Sequence, residues 1–218
     1  SKLENQHMNT PNMNQISPKI RAARNKGRLV GPKPPFKLHE IWAIRMRLQI
    51  QGRVRELALI NLAIDSKLRG CDLVSLRVAD VAHGGEVQSR ATVIQRKTGH
   101  PVRFELTGQT RDAVAAWIAA AGLSPDQHLF PSRQRRSSHL STRQYSRIVK
   151  GWAALIGLDP ENYGTHSLRR TKATLIYRRT RNLRAVQLLL GHTKLESTVR
   201  YLGIEVDDAL EMAEQTDA

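Results

Sequence analysis

The sequence changes character at residue 36, and this break constrains what the chain can fold into. Residues 1–36 are polar, rich in Asn, Gln, Lys and Arg, and they end in Gly31-Pro32-Lys33-Pro34-Pro35. Such a composition buries too little apolar surface to fold alone, so we predict a flexible basic arm. We predict a single domain over residues 37–218, with residues 204–218 as an acidic tail. One interpretation of the seven residues before Met8 is an appended vector-derived segment.

The second part of the chain shows two hydrophobic patterns. Apolar residues recur at helical spacing over residues 38–48, 57–64, 113–121, 141–157, a stretch after His166, and 183–190. Residues 76–106 are instead rich in β-favouring side chains, divided by Gly84-Gly85 and by Lys97-Thr98-Gly99-His100-Pro101. The predicted fold class is therefore mainly α with a small antiparallel β-sheet (α+β).

The composition restricts the partners that this chain can have. It carries 35 Lys and Arg against 19 Asp and Glu, a formal charge of +16, which favours a polyanion, with double-stranded DNA as the leading candidate. Aromatic residues make up only 5%, which disfavours a single-strand binder that stacks bases.

The lone Cys71 excludes a disulfide framework and a Cys-rich zinc site, and no metal site is predicted. No apolar run approaches the ~20 residues of a membrane span, so we expect a cytoplasmic protein with no membrane partner.

The charge is also concentrated in particular segments. Residues 169–184 contain seven basic residues and no acid, whereas residues 205–218 contain six acids and no base. A single basic segment is usually a solvated surface, but several together favour contact with DNA phosphates. The candidate DNA contacts are Arg143, Arg147, Arg170, Lys172, Arg178 and Arg179. For Arg170, a phosphate contact and a solvated position are equally supported.

Five short motifs carry residues suited to phosphate chemistry. They are Leu68-Arg69-Gly70-Cys71-Asp72-Leu73, Lys97-Thr98-Gly99, His166-Ser167-Leu168-Arg169, Leu190-Gly191-His192 and Tyr201. The spacing of His166 and Arg169 puts both side chains on one helix face. Each motif taken alone has an ordinary structural explanation; Arg69, for example, could pair with Asp72 or Asp80.

Taken in order, the five motifs resemble the tyrosine recombinase (phage-type integrase) family over about residues 38–210. The nine-residue step from His192 to Tyr201 matches the family pattern. The resemblance implies a fold like the catalytic domain of that family. Most members carry a separate DNA-clamping domain before the catalytic one, whereas only about 36 polar residues precede it here, as in the small single-domain members.

The resemblance also implies a role for each matched residue. Tyr201 would attack the scissile phosphate and form a 3′-phosphotyrosyl bond, while Arg69 and Arg169 would clamp the non-bridging oxygens. Residues His166 and His192 would complete the phosphate cradle and assist proton movement.

Two further positions support this set. Lys97 would deliver a proton to the departing 5′-oxygen. Asp72 occupies the family's acidic position and would orient the region around Arg69 rather than touch DNA.

The chemistry of phosphoryl transfer demands the same groups. Negative charge accumulates on the phosphate oxygens during attack, and fixed guanidinium groups stabilise it because they bind bidentately and stay charged. A phenol has a pKa of ~10, so neighbouring cations must assist its ionisation. A covalent intermediate keeps the phosphodiester energy, so we expect no ATP and no metal as cofactors.

The function implied by the resemblance is site-specific DNA recombination, and two alternatives remain. A type IB topoisomerase shares much of this catalytic set and would relax supercoils; a non-catalytic DNA-binding accessory protein would keep only the fold. The expected partners are double-stranded DNA, further copies of the chain in a tetramer on paired sites, and an accessory DNA-binding protein that compensates for the short N-terminal region. In relatives the segment after the nucleophile often docks on a neighbouring protomer, so we expect the acidic tail to link subunits.

Overall fold

In a computed structural model of the chain, the structure describes residues 32–133 and 137–204. The helices are α1 (Leu38–Ile50), α2 (Val54–Ser66), α3 (Gly70–Val74), α4 (Gly108–Ala121), α5 (Thr142–Leu155), α6 (Thr165–Thr180), α7 (Leu183–Leu190) and α8 (Leu195–Leu202). The strands are β1 (Ala82–His83), β2 (Glu86–Val87), β3 (Arg90–Ile94) and β4 (Pro101–Glu105). The predicted class, mainly α with small antiparallel β structure, is confirmed.

Helix α2 is the centre of the hydrophobic core. Its residues from Ala58 to Ser66 are all buried, because α1, α4 and α6 pack around it. The nearly continuous apolar run of residues 57–64 therefore forms a buried helix, as the sequence predicts. The helix ends at Lys67, which adopts a left-handed conformation with φ of 53° and turns the chain toward Arg69.

Helix α1 covers one side of α2 with a narrow face. The helical spacing of Leu38, Ile41, Trp42 and Leu48 predicts a shared buried face, but only Ile41 and Leu48 point inward. Leu38 and Trp42 are about half exposed, at 56% and 50%. The expectation is wrong for these two side chains because Ile44, between Ile41 and Leu48, completes the inward face.

The β structure consists of two separate antiparallel hairpins rather than one sheet. Strands β1 and β2 are joined by Gly84-Gly85, and strands β3 and β4 pair with Val93 opposite Val102. The turn between β3 and β4 carries Lys97 and contains Gly99 at a φ of 68°. This second hairpin brings the turn and the end of β4 to the same side of the molecule as α7.

Residues 32–36 pack as an ordered strap, a name we use below for this segment. Phe36 is buried; its ring stacks on Tyr163 with ring centres 4.4 Å apart, and its main-chain N–H donates to Thr171 Oγ1 at 3.1 Å. The sequence division at residue 36 thus falls inside a segment that touches the domain. The rest of the predicted arm, residues 1–31, and the tail from residue 205 onward lie outside the described residues, so the domain division stays a prediction.

Gly191 ends α7 and is required by both conformation and space. Its φ is 64°, and a β-carbon at this position would lie 2.5 Å from Val102 Cγ2. Any other residue would therefore push β4 away from α7. This close approach fixes the position of the following His192, and α8 then carries Tyr201 back over α6.

Candidate active site

Tyr201, the predicted nucleophile, lies at the next-to-last position of α8. Its ring packs against a small apolar cluster made of Ala173, Tyr177, Val186 and Leu190. The hydroxyl is buried and has no hydrogen-bond partner among the described residues. Burial raises the pKa of Tyr201 to about 12, although the positive charges of Arg169 and Arg170 act in the opposite direction. The phenol is therefore protonated at neutral pH until further stabilisation of its anion is supplied.

Arg169, on α6, is held by the ends of two other helices. One terminal nitrogen donates to the carbonyl of Lys67 and the other to the carbonyl of Leu190, each at 2.8 Å. These carbonyls lie at the C-terminal ends of α2 and α7. The guanidinium carbon is 5.8 Å from the centre of the Tyr201 ring. The two main-chain carbonyls thus hold the Arg169 guanidinium in place next to the Tyr201 ring.

Arg69 reaches the same place from the residue that precedes α3. Its guanidinium donates to Oε1 of Gln95, a fully buried side chain that follows β3. Gln95 Nε2 in turn donates at 3.4 Å to the carbonyl of Leu190, which also accepts from Arg169. One carbonyl therefore anchors both guanidiniums. The sequence analysis missed Gln95, because an isolated glutamine beside a turn carries no signal.

His192 lies against the nucleophile. Its ring meets the Tyr201 ring edge-on, with centres 5.4 Å apart at 84°. Nδ1 is 3.1 Å from the buried Thr198 Oγ1, and Nε2 is 3.5 Å from the nearer Arg169 nitrogen. Burial and the charges of Arg169 and Arg69 lower the pKa of His192 to about 4. The ring is neutral at physiological pH and carries a lone pair beside the guanidinium.

His166 and Lys97 lie at the open side of this group. His166, in the first turn of α6, keeps part of its side chain in contact with solvent. The protein that surrounds the rest of the ring, together with the charges of Arg169, Arg170 and Arg69, lowers its pKa. Lys97 is exposed on the turn between β3 and β4. Within the described residues no hydrogen bond or ion pair joins it to the other predicted catalytic residues. The catalytic roles of the six predicted residues stay predictions. Five of their side chains lie close together, and the exception is Lys97: they are Arg69, His166, Arg169, His192 and Tyr201.

Asp72 acts on the turn that carries Lys97. The side chain is buried, and its Oδ1 accepts from the main-chain N–H of Arg96 at 2.9 Å. It therefore fixes the turn after β3 relative to α3, whose preceding residue is Arg69. This position is consistent with the predicted orienting role.

Lys172 is engaged by two carboxylates, and only 20% of its side chain is exposed. Its Nζ lies 2.7 Å from Asp65 Oδ1 and 2.6 Å from Glu105 Oε1. Lys67, whose side chain is fully buried, donates to both Glu105 oxygens at 3.1 Å. Asp65 also accepts from Thr107 and Thr110. These contacts support a structural role for Lys172, and its contact with DNA stays a prediction.

We expect Lys172→Met to lower the free energy of unfolding by about 2 kcal/mol, because it leaves the buried Asp65 and the partly exposed Glu105 with fewer partners. Burial alone would raise the pKa of Asp65, but hydrogen bonds from Lys172 and threonines lower it below its ordinary value. A depressed carboxyl pKa stabilises the fold above the ordinary value and loses this contribution as pH falls. The variant should therefore begin acid unfolding at higher pH.

Urea titrations followed by circular dichroism at several pH values measure both effects. Lys150→Met is the matched control, because Lys150 pairs at 2.6 Å with Glu161, a mostly exposed side chain, on the surface. Its loss should cost under about 0.5 kcal/mol. Equal stability losses in the two variants would contradict a structural role for Lys172.

Four of the predicted DNA contacts are exposed, whereas Arg170 is buried. Arg178 and Arg179 lie in the last turn of α6, and Arg143 and Arg147 lie in the first two turns of α5. The α5 pair lines a cleft of about 640 Å³. The other basic residues around the cleft are Arg53, Arg55 and Arg133. Residues 134–136 lie outside the described residues.

The described residues contain neither a candidate metal site nor a candidate membrane-spanning helix. No group of three or more His, Cys, Asp or Glu side chains there is arranged to hold a metal ion. None of the helices in that part of the chain combines the length and apolar character needed to cross a membrane.

Sequence relatives cover the same region. The model of the phage integrase family matches residues 38–206. The tyrosine recombinase XerC of Erythrobacter litoralis is 32% identical over 70% of this chain and 47% of its own length. The probable integrase/recombinase YoeC of Bacillus subtilis is 28% identical over 80% of this chain and 91% of its own length. The chain thus spans about half the length of the XerC relative.

Solved structures show the same fold. XerA recombinase superposes with a TM-score of 0.68 at 20% identity, over 85% of this chain and 66% of that one. XerH site-specific recombinase bound to its difH substrate superposes with a TM-score of 0.65 at 20% identity, over 85% and 55%. The matched region contains all five motifs and the converged side chains around Tyr201. The chain belongs to the phage integrase family, the tyrosine recombinases.

Proposed function

We propose that this protein is a site-specific DNA recombinase that cleaves and rejoins strands through Tyr201. The observation that carries the proposal is the phenol of Tyr201 lying in one subunit beside Arg169, Arg170 and His192. A buried tyrosine surrounded by cations and a neutral histidine is poorly explained by stability alone. It suits a nucleophile for a phosphodiester.

The proposed reaction is a balanced exchange of phosphate esters. Tyr201 Oη attacks phosphorus and forms a 3′-phosphotyrosyl bond, while the bond to the 5′-oxygen breaks. The phenolic proton leaves to a base, a role for which neutral His192 has a ring lone pair, and Lys97 returns a proton to the 5′-oxygen. Attack by a 5′-hydroxyl of a second strand then reverses the step and releases Tyr201.

The guanidiniums supply the stabilisation of the transition state. Arg69 and Arg169 are fixed through Gln95 and the Leu190 carbonyl before substrate arrives, so little reorganisation is needed as charge develops. No hydrolysed nucleotide is required, because each phosphate ester is exchanged for another of similar energy. We likewise propose that the cations of the protein take the place of a metal ion, and covalent capture should survive excess EDTA.

Double-stranded DNA is the proposed partner, bound through exposed arginines. Replacing Arg143 and Arg147 together with Gln should flatten the dependence of log affinity on log salt by about 1 per lost phosphate contact. Fluorescence anisotropy with a short labelled duplex at several salt concentrations measures the slope. Arg111→Gln, which removes a charge whose guanidinium donates to the Leu106 carbonyl at 3.2 Å, is the control. Equal slopes in all three proteins would contradict the assignment of these contacts.

Assembly on DNA is part of the proposal. We propose a tetramer on paired sites, linked by the acidic tail, with an accessory DNA-binding protein that assists site selection. The amphipathic pattern of Val206, Leu210 and either Met212 or Ala213 among acids supports a docking tail. Tail truncation after Gly203 that left cooperative binding to paired sites unchanged would contradict this role.

The test of the activity is covalent capture on nicked suicide DNA. Fragments of the host replicon that carry nicks should form adducts resistant to denaturant, and sequencing of the captured fragments gives the site. Exchange between two captured sites distinguishes a recombinase from a type IB topoisomerase, which would relax a supercoiled plasmid without exchanging partners. Absence of any adduct would leave only the accessory DNA-binding function.

A further inference from the structure

The structure excludes one of the two positions that the sequence leaves open for Arg170. Arg170 is 5% exposed, so it is not a solvated charge. Its guanidinium carbon lies 5.2 Å from the centre of the Tyr201 ring, nearer than that of Arg169. A β-carbon at Gly203 would lie 3.8 Å from Arg170 Nη2. Arg170 is therefore enclosed between α6 and the end of α8.

The strap holds Arg170 in this place. Arg170 Nη1 donates to the carbonyl of Lys33 at 2.8 Å. The strap is itself anchored by Phe36, whose N–H donates to Thr171, the residue after Arg170. Pro34 and Pro35 restrict the intervening backbone, so the carbonyl is held with little conformational freedom. Arg170 Nε has no hydrogen-bond partner among the described residues.

The charged groups around the Tyr201 phenol come from each element packed on α8. From α6 come Arg169 and Arg170; from the residue before α3 comes Arg69; and His192 belongs to the connection between α7 and α8. Arg169 and Arg69 are also the groups assigned to the phosphate. Once these two bind a phosphate, Arg170 is the cation left to face the ring of the nucleophile.

We infer that Arg170 is a positioning residue, held by the strap, that orients the Tyr201 phenol and favours its ionisation during strand cleavage. This inference rests on the proposed function. A cation over an aromatic face is attracted by the ring, and an anionic phenolate is attracted more strongly than a neutral phenol. The charge of Arg170 therefore favours the phenolate, the reactive form, over the phenol.

The test compares two versions of the nucleophile in the full chain. In the natural protein we expect Arg170→Gln to slow single-turnover cleavage of a suicide duplex about tenfold, the factor for one pKa unit. Replacing Tyr201 with 3,5-difluorotyrosine gives a more acidic phenol that depends less on a neighbouring cation. In that background the loss caused by Arg170→Gln should shrink to about twofold.

The outcomes separate this inference from its rivals. An equal loss with both nucleophiles would mean that Arg170 contacts phosphate or only supports the fold, and would overturn the inference. Unchanged cleavage in Arg170→Gln would also overturn it. Lack of any adduct in the wild-type protein would instead remove the proposed function. Arg170→Lys, which keeps the charge, should lose less than Arg170→Gln, and thermal unfolding shows whether each variant is folded.

The strap gives an independent test. Replacing Pro34 and Pro35 together with Gly loosens the backbone without removing a contact of Arg170 itself. We expect slower cleavage with the natural tyrosine and little change with difluorotyrosine. Pro125→Gly, the same substitution at an exposed proline outside the strap, is the matched control and should cleave like wild type. A loosened strap that cleaves at the wild-type rate with the natural tyrosine would contradict its role.

Discussion

Replacing Tyr201 with Phe is expected to abolish covalent capture of DNA and to reduce strand cleavage by on the order of 10⁴-fold or more. The change removes one oxygen, and this oxygen has no hydrogen-bond partner among the described residues. The fold should therefore lose little stability. Capture on a nicked suicide duplex, resolved by denaturing electrophoresis, measures the effect, and circular dichroism confirms folding.

The matched control is Tyr177→Phe. Tyr177 is buried in the same apolar cluster as Tyr201 but lies on α6. It should retain covalent capture within about twofold, because a surface or packing hydroxyl contributes little. Residual adduct in Tyr201→Phe at wild-type level would show that another side chain is the nucleophile.

A mixing experiment tests whether the site is built within one subunit. The structure places Tyr201 beside Arg169 of the same chain, with the guanidinium 5.8 Å from the ring centre. A mixture of Tyr201→Phe and Arg169→Ala proteins should therefore remain inactive, because neither subunit holds both groups. Adduct formation by the mixture would show that the tyrosine is delivered to a neighbouring subunit.

The sequence could predict much of the fold because its patterns are local. The periodicity of residues 57–64 is sufficient for the central helix, and Gly191 marks the end of α7. The candidate catalytic residues, among them Arg69, His166 and Tyr201, could be identified from the sequence because their motifs follow one another in a characteristic order and spacing. The helix α8 that carries Tyr201 was not predicted, because its eight residues are half polar.

The rest depends on contacts between residues far apart in sequence. Gln95 anchors Arg69 across 26 residues, and Lys172 meets Asp65 across 107 residues. Lys172 is one of seven basic residues in a short segment, and no local signal separates it from its exposed neighbours. The environment of Arg170 likewise depends on distant residues, because the Lys33 carbonyl of the strap and the Tyr201 ring both contact its guanidinium.

Arg169→Ala is expected to reduce cleavage on the order of 10³-fold and also to destabilise the protein. The catalytic loss follows from removing a fixed donor to the developing charge. The stability loss, about 2 kcal/mol, follows from leaving the Lys67 carbonyl without this donor and the Leu190 carbonyl with only the longer bond from Gln95 Nε2. Single-turnover cleavage and urea unfolding measure the two effects separately.

Arg69→Ala is the informative comparison. Arg69 is half-buried and donates to the Gln95 side chain rather than to main-chain carbonyls. Its loss should slow cleavage by a similar factor, on the order of 10²–10³-fold, with little change in unfolding. The two arginines would then share the same chemistry and differ in their structural contribution. Wild-type cleavage by either variant would contradict the phosphate clamp.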